Sequence, residues 1–127
     1  MTKQSIILLA VLLNCLHLSA QWSPAGERIQ TEWATKMNVN SVLPEYPRPI
    51  MERTDWMNLN GLWSYAIAPV GQPAPQKYDG QILVPYSVES SLSGVGKNLG
   101  EKNELWYQRQ FTVPAGWKGQ KVLLHFG

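Results

Sequence analysis

The chain has one cysteine, Cys15, and two histidines, His17 and His125, in 127 residues. Cys15 and His17 both fall in the first twenty positions. Beyond them there can be no disulfide, no thiolate metal site and no cysteine nucleophile. A Ser/His/Asp triad would have to use His125, and a histidine-based metal site would have that single imidazole. Charge is sparse as well: eleven Lys and Arg stand against nine Asp and Glu, for a net +2. The basic residues form no cluster, which argues against a nucleic-acid partner. The longest apolar run, positions 6–13, falls well short of the roughly 20 residues a membrane-spanning helix needs, so no transmembrane span is expected. Phosphate-binding motifs are missing too. Gly94, Gly96 and Gly100 fall as GxGxxxG, not GxGxxG between a strand and a helix, and Lys97 is followed by Asn98 rather than Ser or Thr. Neither a nucleotide nor any other cofactor is expected.

What is present begins with an export signal. Lys3 supplies a basic start, positions 6–13 (IILLAVLL) an apolar core, and Leu18-Ser19-Ala20 the small residues a signal peptidase reads. Positions 1–20 are read as a signal peptide cleaved between Ala20 and Gln21, giving a periplasmic or extracellular protein. An alternative is lipid attachment at Cys15, although Asn14 stands where lipoprotein signals carry Gly, Ala or Ser.

Positions 21–50 form an extended, proline-containing lead-in. Pro44, Pro47 and Pro49 exclude a helix interior or a central strand. Trp33 and Tyr46 are its candidate apolar anchors. After the Asn60-Gly61 turn the hydrophobic period becomes two. Trp63, Tyr65 and Ile67 alternate with Ser64, Ala66 and Ala68, the pattern of a strand with its aromatic face inward. A proline-rich loop ends at Asp79-Gly80, and positions 82–84 form a short strand stopped by Pro85. Positions 87–102 read as a long Ser/Gly surface loop. Positions 105–113 alternate clearly, with Leu105, Tyr107, Arg109, Phe111 and Val113 on one face. Positions 121–126 are expected to add a further strand. The class is all-β. Four strands bearing this much apolar surface need a second layer, so the chain is expected to be cut short within its domain and marginal or aggregation-prone alone.

Three stretches carry a family resemblance. Positions 43–67 read LPEYPRPIMERTDWMNLNGLWSYAI, positions 82–96 ILVPYSVESSLSGVG and positions 105–127 LWYQRQFTVPAGWKGQKVLLHFG. In this order they resemble the N-terminal sugar-binding domain of glycoside hydrolase family 2, which holds β-galactosidases, β-glucuronidases and β-mannosidases. The resemblance implies a jelly-roll, galactose-binding-like β-sandwich whose first part is positions 51–127. It implies immunoglobulin-like and TIM-barrel domains following in the same protein. Catalysis there is retaining, by two glutamates about 5 Å apart. Both lie in the barrel, and none of the nine acidic residues here matches either one. The chain alone is therefore expected to hydrolyse nothing, its link to a β-glycoside running through the absent catalytic domain. Some members place an Asn two positions after the Val-Pro motif, against the sugar; here that position is Ser87.

The loop after Tyr86 is the best candidate for reaching a pocket, with Ser87 and Glu89 on its rim. Long loops on rigid sandwiches carry function, but they also serve as solvated connectors. Arg109, with Trp63 and Tyr107, is assigned a structural role. Its parity puts it on the aromatic face, where a guanidinium needs a carboxylate or several carbonyls. Glu89 is the first expected partner and Asp55 the second. Trp56, Tyr78, Trp106 and Trp117 could stack on a sugar, though bulky strand aromatics more often fill a core or interface. His125 is expected to face outward. Three functions compete: an accessory domain of a family 2 glycosidase, a free-standing carbohydrate-binding protein, and a structural cell-surface module.

Overall fold

The computed structural model describes residues 22–26 and 30–126. The expected signal, its Ala20/Gln21 cleavage site and Cys15 lie outside the described residues. Among those described, no helix is long and apolar enough to cross a membrane.

The fold is built on one three-stranded antiparallel sheet. Strand β1 (Gly61–Pro69) is central, β2 (Gly80–Val84) pairs along one side and β3 (Asn103–Gln108) along the other. Among the described residues helix is scant: a four-residue turn, α1 (Glu32–Thr35), is capped by the Thr31 hydroxyl and carries an i,i+4 Lys36–Glu32 ion pair, and there are three short 3₁₀ segments. The chain is all-β, as its alternation and Gly/Pro loops imply.

The register explains the core. Trp63 faces Ile82, Tyr65 faces Tyr107 and Ile67 faces Leu105, so the odd-numbered residues of β1 share one face with their partners. That face holds the main apolar cluster. Tyr65, Ile82 and Val88 are buried, and Trp63, Ile67, Val84, Val95, Leu99 and Leu105 pack around them. Ile82 is fully buried, and a buried aliphatic side chain of this size contributes about 1.5–3 kcal/mol. The even face buries Ala66 and Leu83 but leaves Leu62 exposed.

Asp79 starts the β1–β2 ladder as the Asp-Gly turn predicts. Its amide donates to the Tyr65 carbonyl at 2.8 Å, and its Oδ2 accepts the Ile67 amide at 2.9 Å. The side chain thus replaces a backbone carbonyl where β2 has not yet begun.

Three expectations are corrected. First, β3 stops at Gln108 instead of running to position 113. Second, positions 121–126 form no strand. A strand needs a hydrogen-bonding neighbour, and within the described chain these residues have none; Phe111, Val113, Val122, Leu123, Leu124 and Phe126 are all exposed. Third, Trp33 anchors nothing, being 83% exposed. The lead-in is tied instead by Asn58 Nδ2 to the Leu43 carbonyl (2.8 Å), by Asn60 Nδ2 to the Val42 carbonyl (3.2 Å) and by burial of Val42. Tyr46 does find a ring partner, meeting Trp56 edge-on at 4.8 Å.

Candidate functional site

The connection from β2 to β3 is a folded structure rather than a solvated loop. It leaves β2 through a cis Val84–Pro85 peptide. Ser87 and Glu89 point outward on either side of buried Val88, and the Ser90 amide closes the turn on the Ser87 carbonyl at 2.9 Å. Ser90 then caps a 3₁₀ turn, Ser91–Ser93, by accepting the Leu92 amide.

Ser93 holds the rest of the loop together. It is fully buried. Its hydroxyl donates to the Ser90 carbonyl (2.7 Å) and accepts the amides of Val95 (3.0 Å) and Gly96 (3.5 Å). The Lys97 amide returns to the Val88 carbonyl at 3.0 Å, so residues 88–97 close on themselves. Ser93 escaped the sequence reading because nothing in a Ser-rich stretch marks which serine is buried.

Glu89 lies close enough to Tyr107 for its charge to act on the phenol. Burial pushes the Tyr107 hydroxyl above its usual pKa, and the Glu89 carboxylate raises it further. Tyr107 meets Trp63 edge-to-face at a centroid distance of 6.3 Å. Trp63 is fixed in turn by its Nε1, which donates to the Leu59 carbonyl at 2.8 Å. The fold thus gathers Glu89, Tyr107 and Trp63, an acceptor-bearing loop beside an aromatic pair. Ser87 is exposed on the same loop. Such a surface presents ring faces or edges of the kind that suit the apolar side of a pyranose.

Arg109 takes a different partner from either carboxylate expected. Its Nη1 donates to the Leu62 carbonyl at 3.1 Å and approaches the Asn60 carbonyl at 3.5 Å. Both carbonyls are on even-numbered residues, which present their backbone to the β3 side, and both lie past the last β3 pair, Ser64 with Gln108. The guanidinium therefore occupies the flank of β1 where β3 ends. Gly61, at φ +123°, leaves space for it: a Cβ there would sit 3.1 Å from Nη1. Arg109 Nε is buried without an acceptor among the described residues.

Two open grooves, of about 490 and 460 Å³, adjoin Arg109. The second, on the even face, is lined by Ser64, Gln81, Gln108 and Gln110 with Leu62, so it is rich in amides and has no aromatic floor. Neither groove includes Ser87 or Glu89. No group of three or more metal-ligating side chains occurs among the described residues.

No protein-family model matches the chain. Over 88 residues it is 24% identical to a β-glucuronidase of Paenibacillus borealis. The chain is distantly similar to a glycosidase. The aligned part is 65% of this chain, and the chain spans about 15% of the length of that relative.

Proposed function

We propose that this chain is the N-terminal, non-catalytic, sugar-binding β-sandwich domain of an exported retaining β-glycosidase of the glycoside hydrolase family 2 type. The observation that carries this reading is the similarity to a β-glucuronidase of which the matched part is only 15%. A segment of that share accommodates an accessory domain and leaves most of the relative for a catalytic one. The exposed apolar side chains at 111, 113, 122, 124 and 126 support it further, since further strands would cover them. In this reading the sheet described above is part of one layer of the sandwich, and the rest of the domain supplies the other.

The reaction belongs to a barrel elsewhere in the same protein. One carboxylic acid protonates the leaving oxygen, and a second carboxylate attacks the anomeric carbon. This domain contributes shape and contacts. Glu89 and Ser87 border the pocket and accept or donate to sugar hydroxyls, while Tyr107 and Trp63 form the apolar wall behind them. The chemistry needs no cofactor.

The test is to express the 127-residue chain and the whole open reading frame in parallel. Each is assayed on 4-nitrophenyl β-D-glucuronide, β-D-galactoside and β-D-mannoside. The longer product is expected to hydrolyse at least one with retention of configuration, and the short chain none. Hydrolysis by the short chain, or a reading frame that ends without a carboxylate pair, sinks the proposal.

A further inference from the structure

The residues just after the expected cleavage site make contacts that nothing in the reading above uses. Trp22 Nε1 donates to the Ser93 carbonyl at 3.4 Å, across 71 positions of sequence. The Ala25 amide donates to the Ser91 carbonyl at 2.8 Å, and Ser91 Oγ returns a bond to the Ala25 carbonyl at 2.6 Å. Segment and loop are thus joined by a reciprocal pair of hydrogen bonds and an indole contact.

The loop is shaped to receive this segment. At Gly94 (φ +80°) a Cβ would lie 2.5 Å from Trp22 Nε1, and at Gly96 (φ +63°) 2.9 Å from the Ala25 Cβ. Side chains at either position would push the segment away. The contacted residues Ser91, Ser93, Gly94 and Gly96 belong to the closed unit, residues 88–97, that carries Glu89 and is joined to Ser87 by the Ser90 amide. Val88 and Ser93 are buried beneath the loop, and Val95 and Leu99 pack with Val88 against the core cluster, so the strap adds to an attachment the loop already has.

We infer that residues 22–25 are a strap that positions the β2–β3 loop, with Trp22 and Ser91 as positioning residues that hold the Ser87–Glu89 rim in place for a β-glycoside. The consequence for sugar rests on the reading of that rim under the proposed function; the ordering of the loop does not. Ordering a loop before binding removes the entropy cost from the binding step, so loosening the strap weakens affinity without touching the reacting carboxylates.

The test uses the exported product of the full reading frame, as wild type, Trp22→Ala and Ser91→Ala. Ser91→Ala removes one hydroxyl and keeps the indole, so it covers the case in which Trp22→Ala fails to fold. Hydrogen exchange is read at the amides of Val95, Gly96 and Lys97, with β1 amides as the internal reference. The variants are expected to exchange about tenfold faster or more in the loop and at unchanged rates in β1. On 4-nitrophenyl β-D-glucuronide, β-D-galactoside or β-D-mannoside, whichever is hydrolysed, KM is expected to rise several-fold with kcat unchanged, the signature of lost uniform binding. Unchanged loop exchange, or equal acceleration in loop and sheet, overturns the strap. Faster loop exchange with unchanged KM overturns the strap's part in sugar binding. A wild type that hydrolyses none of the three defeats the proposed function instead, and the exchange comparison still decides whether the strap orders the loop.

Discussion

Arg109 reaches across from the end of β3 to the carbonyl of Leu62, placing its Nη1 3.1 Å from that oxygen. A charged side chain here occupies an edge of β1 that a strand would otherwise fill. This bond is open to solvent, so water partly replaces it, and its net worth is that of an ordinary intramolecular hydrogen bond, about 0.5–1.5 kcal/mol. Arg109→Ala should therefore lower stability by roughly that amount, read as the shift in the urea midpoint. Arg109→Lys should recover only part, because an ammonium cannot reproduce the guanidinium fork. Equal midpoints for wild type and Arg109→Ala would show that water serves Leu62 as well as the guanidinium does.

This arrangement also shows where sequence reasoning reaches its limit. Period-two alternation identified Trp63, Tyr65 and Ile67 as one face, and the register confirms it, because side-chain direction in a strand follows from position alone. The Asp79-Gly80 turn and the short strand before Pro85 were legible for the same local reason. The end of β3 was not, since it depends on which group occupies the flank of β1 forty-seven positions away. Positions 121–126 have every local feature of a strand, yet pairing is a property of two segments. At the candidate site, the connection after Pro85 was legible as a loop, but the burial of Ser93, the docking of Trp22 and the carbonyl partners of Arg109 were not. Burial of one serine among four, and docking of a tryptophan across 71 positions, leave no periodic trace.

Ser93 provides a second test. Its hydroxyl is fully buried and accepts the Val95 amide at 3.0 Å. Ser93→Ala leaves that amide without its partner, and an unsatisfied buried donor costs about 1–3 kcal/mol. The midpoint of urea unfolding should fall accordingly. The loss should be nearly independent of pH, since no charged group takes part. A change below about 0.5 kcal/mol, the range of ordinary surface substitutions, would mean that the loop is not closed around this hydroxyl.

The contact between Gly96 and Ala25 can be isolated by a double-mutant cycle. Gly96→Ala brings two penalties: the left-handed backbone, about 1–2 kcal/mol for a residue with a Cβ, and collision with the Ala25 Cβ at 2.9 Å. Ala25→Gly removes only the second. Gly96→Ala should therefore cost less in the Ala25→Gly background than in wild type, with a coupling of about 0.5 kcal/mol or more. Strict additivity would place the whole penalty in the backbone and show that segment and loop do not meet in solution.

The phenol of Tyr107 sets the expected behaviour in alkali. Burial and then Glu89 raise its pKa in the folded state, whereas in the unfolded chain it titrates near the ordinary tyrosine value of about 10. A raised folded pKa means that the native state holds its proton longer than the unfolded state. Stability from this group is then complete below about pH 10 and is lost as pH climbs through the folded value. Between neutrality and pH 9 it should contribute no slope. Tyr107→Phe should flatten the alkaline decline, and Glu89→Gln should lower the tyrosinate transition seen in an absorbance titration, by less than the burial contribution that remains. If Glu89→Gln leaves that transition in place while Tyr107→Phe still flattens the decline, burial alone sets the phenol, and Glu89 is not the aromatic pair's neighbour in solution.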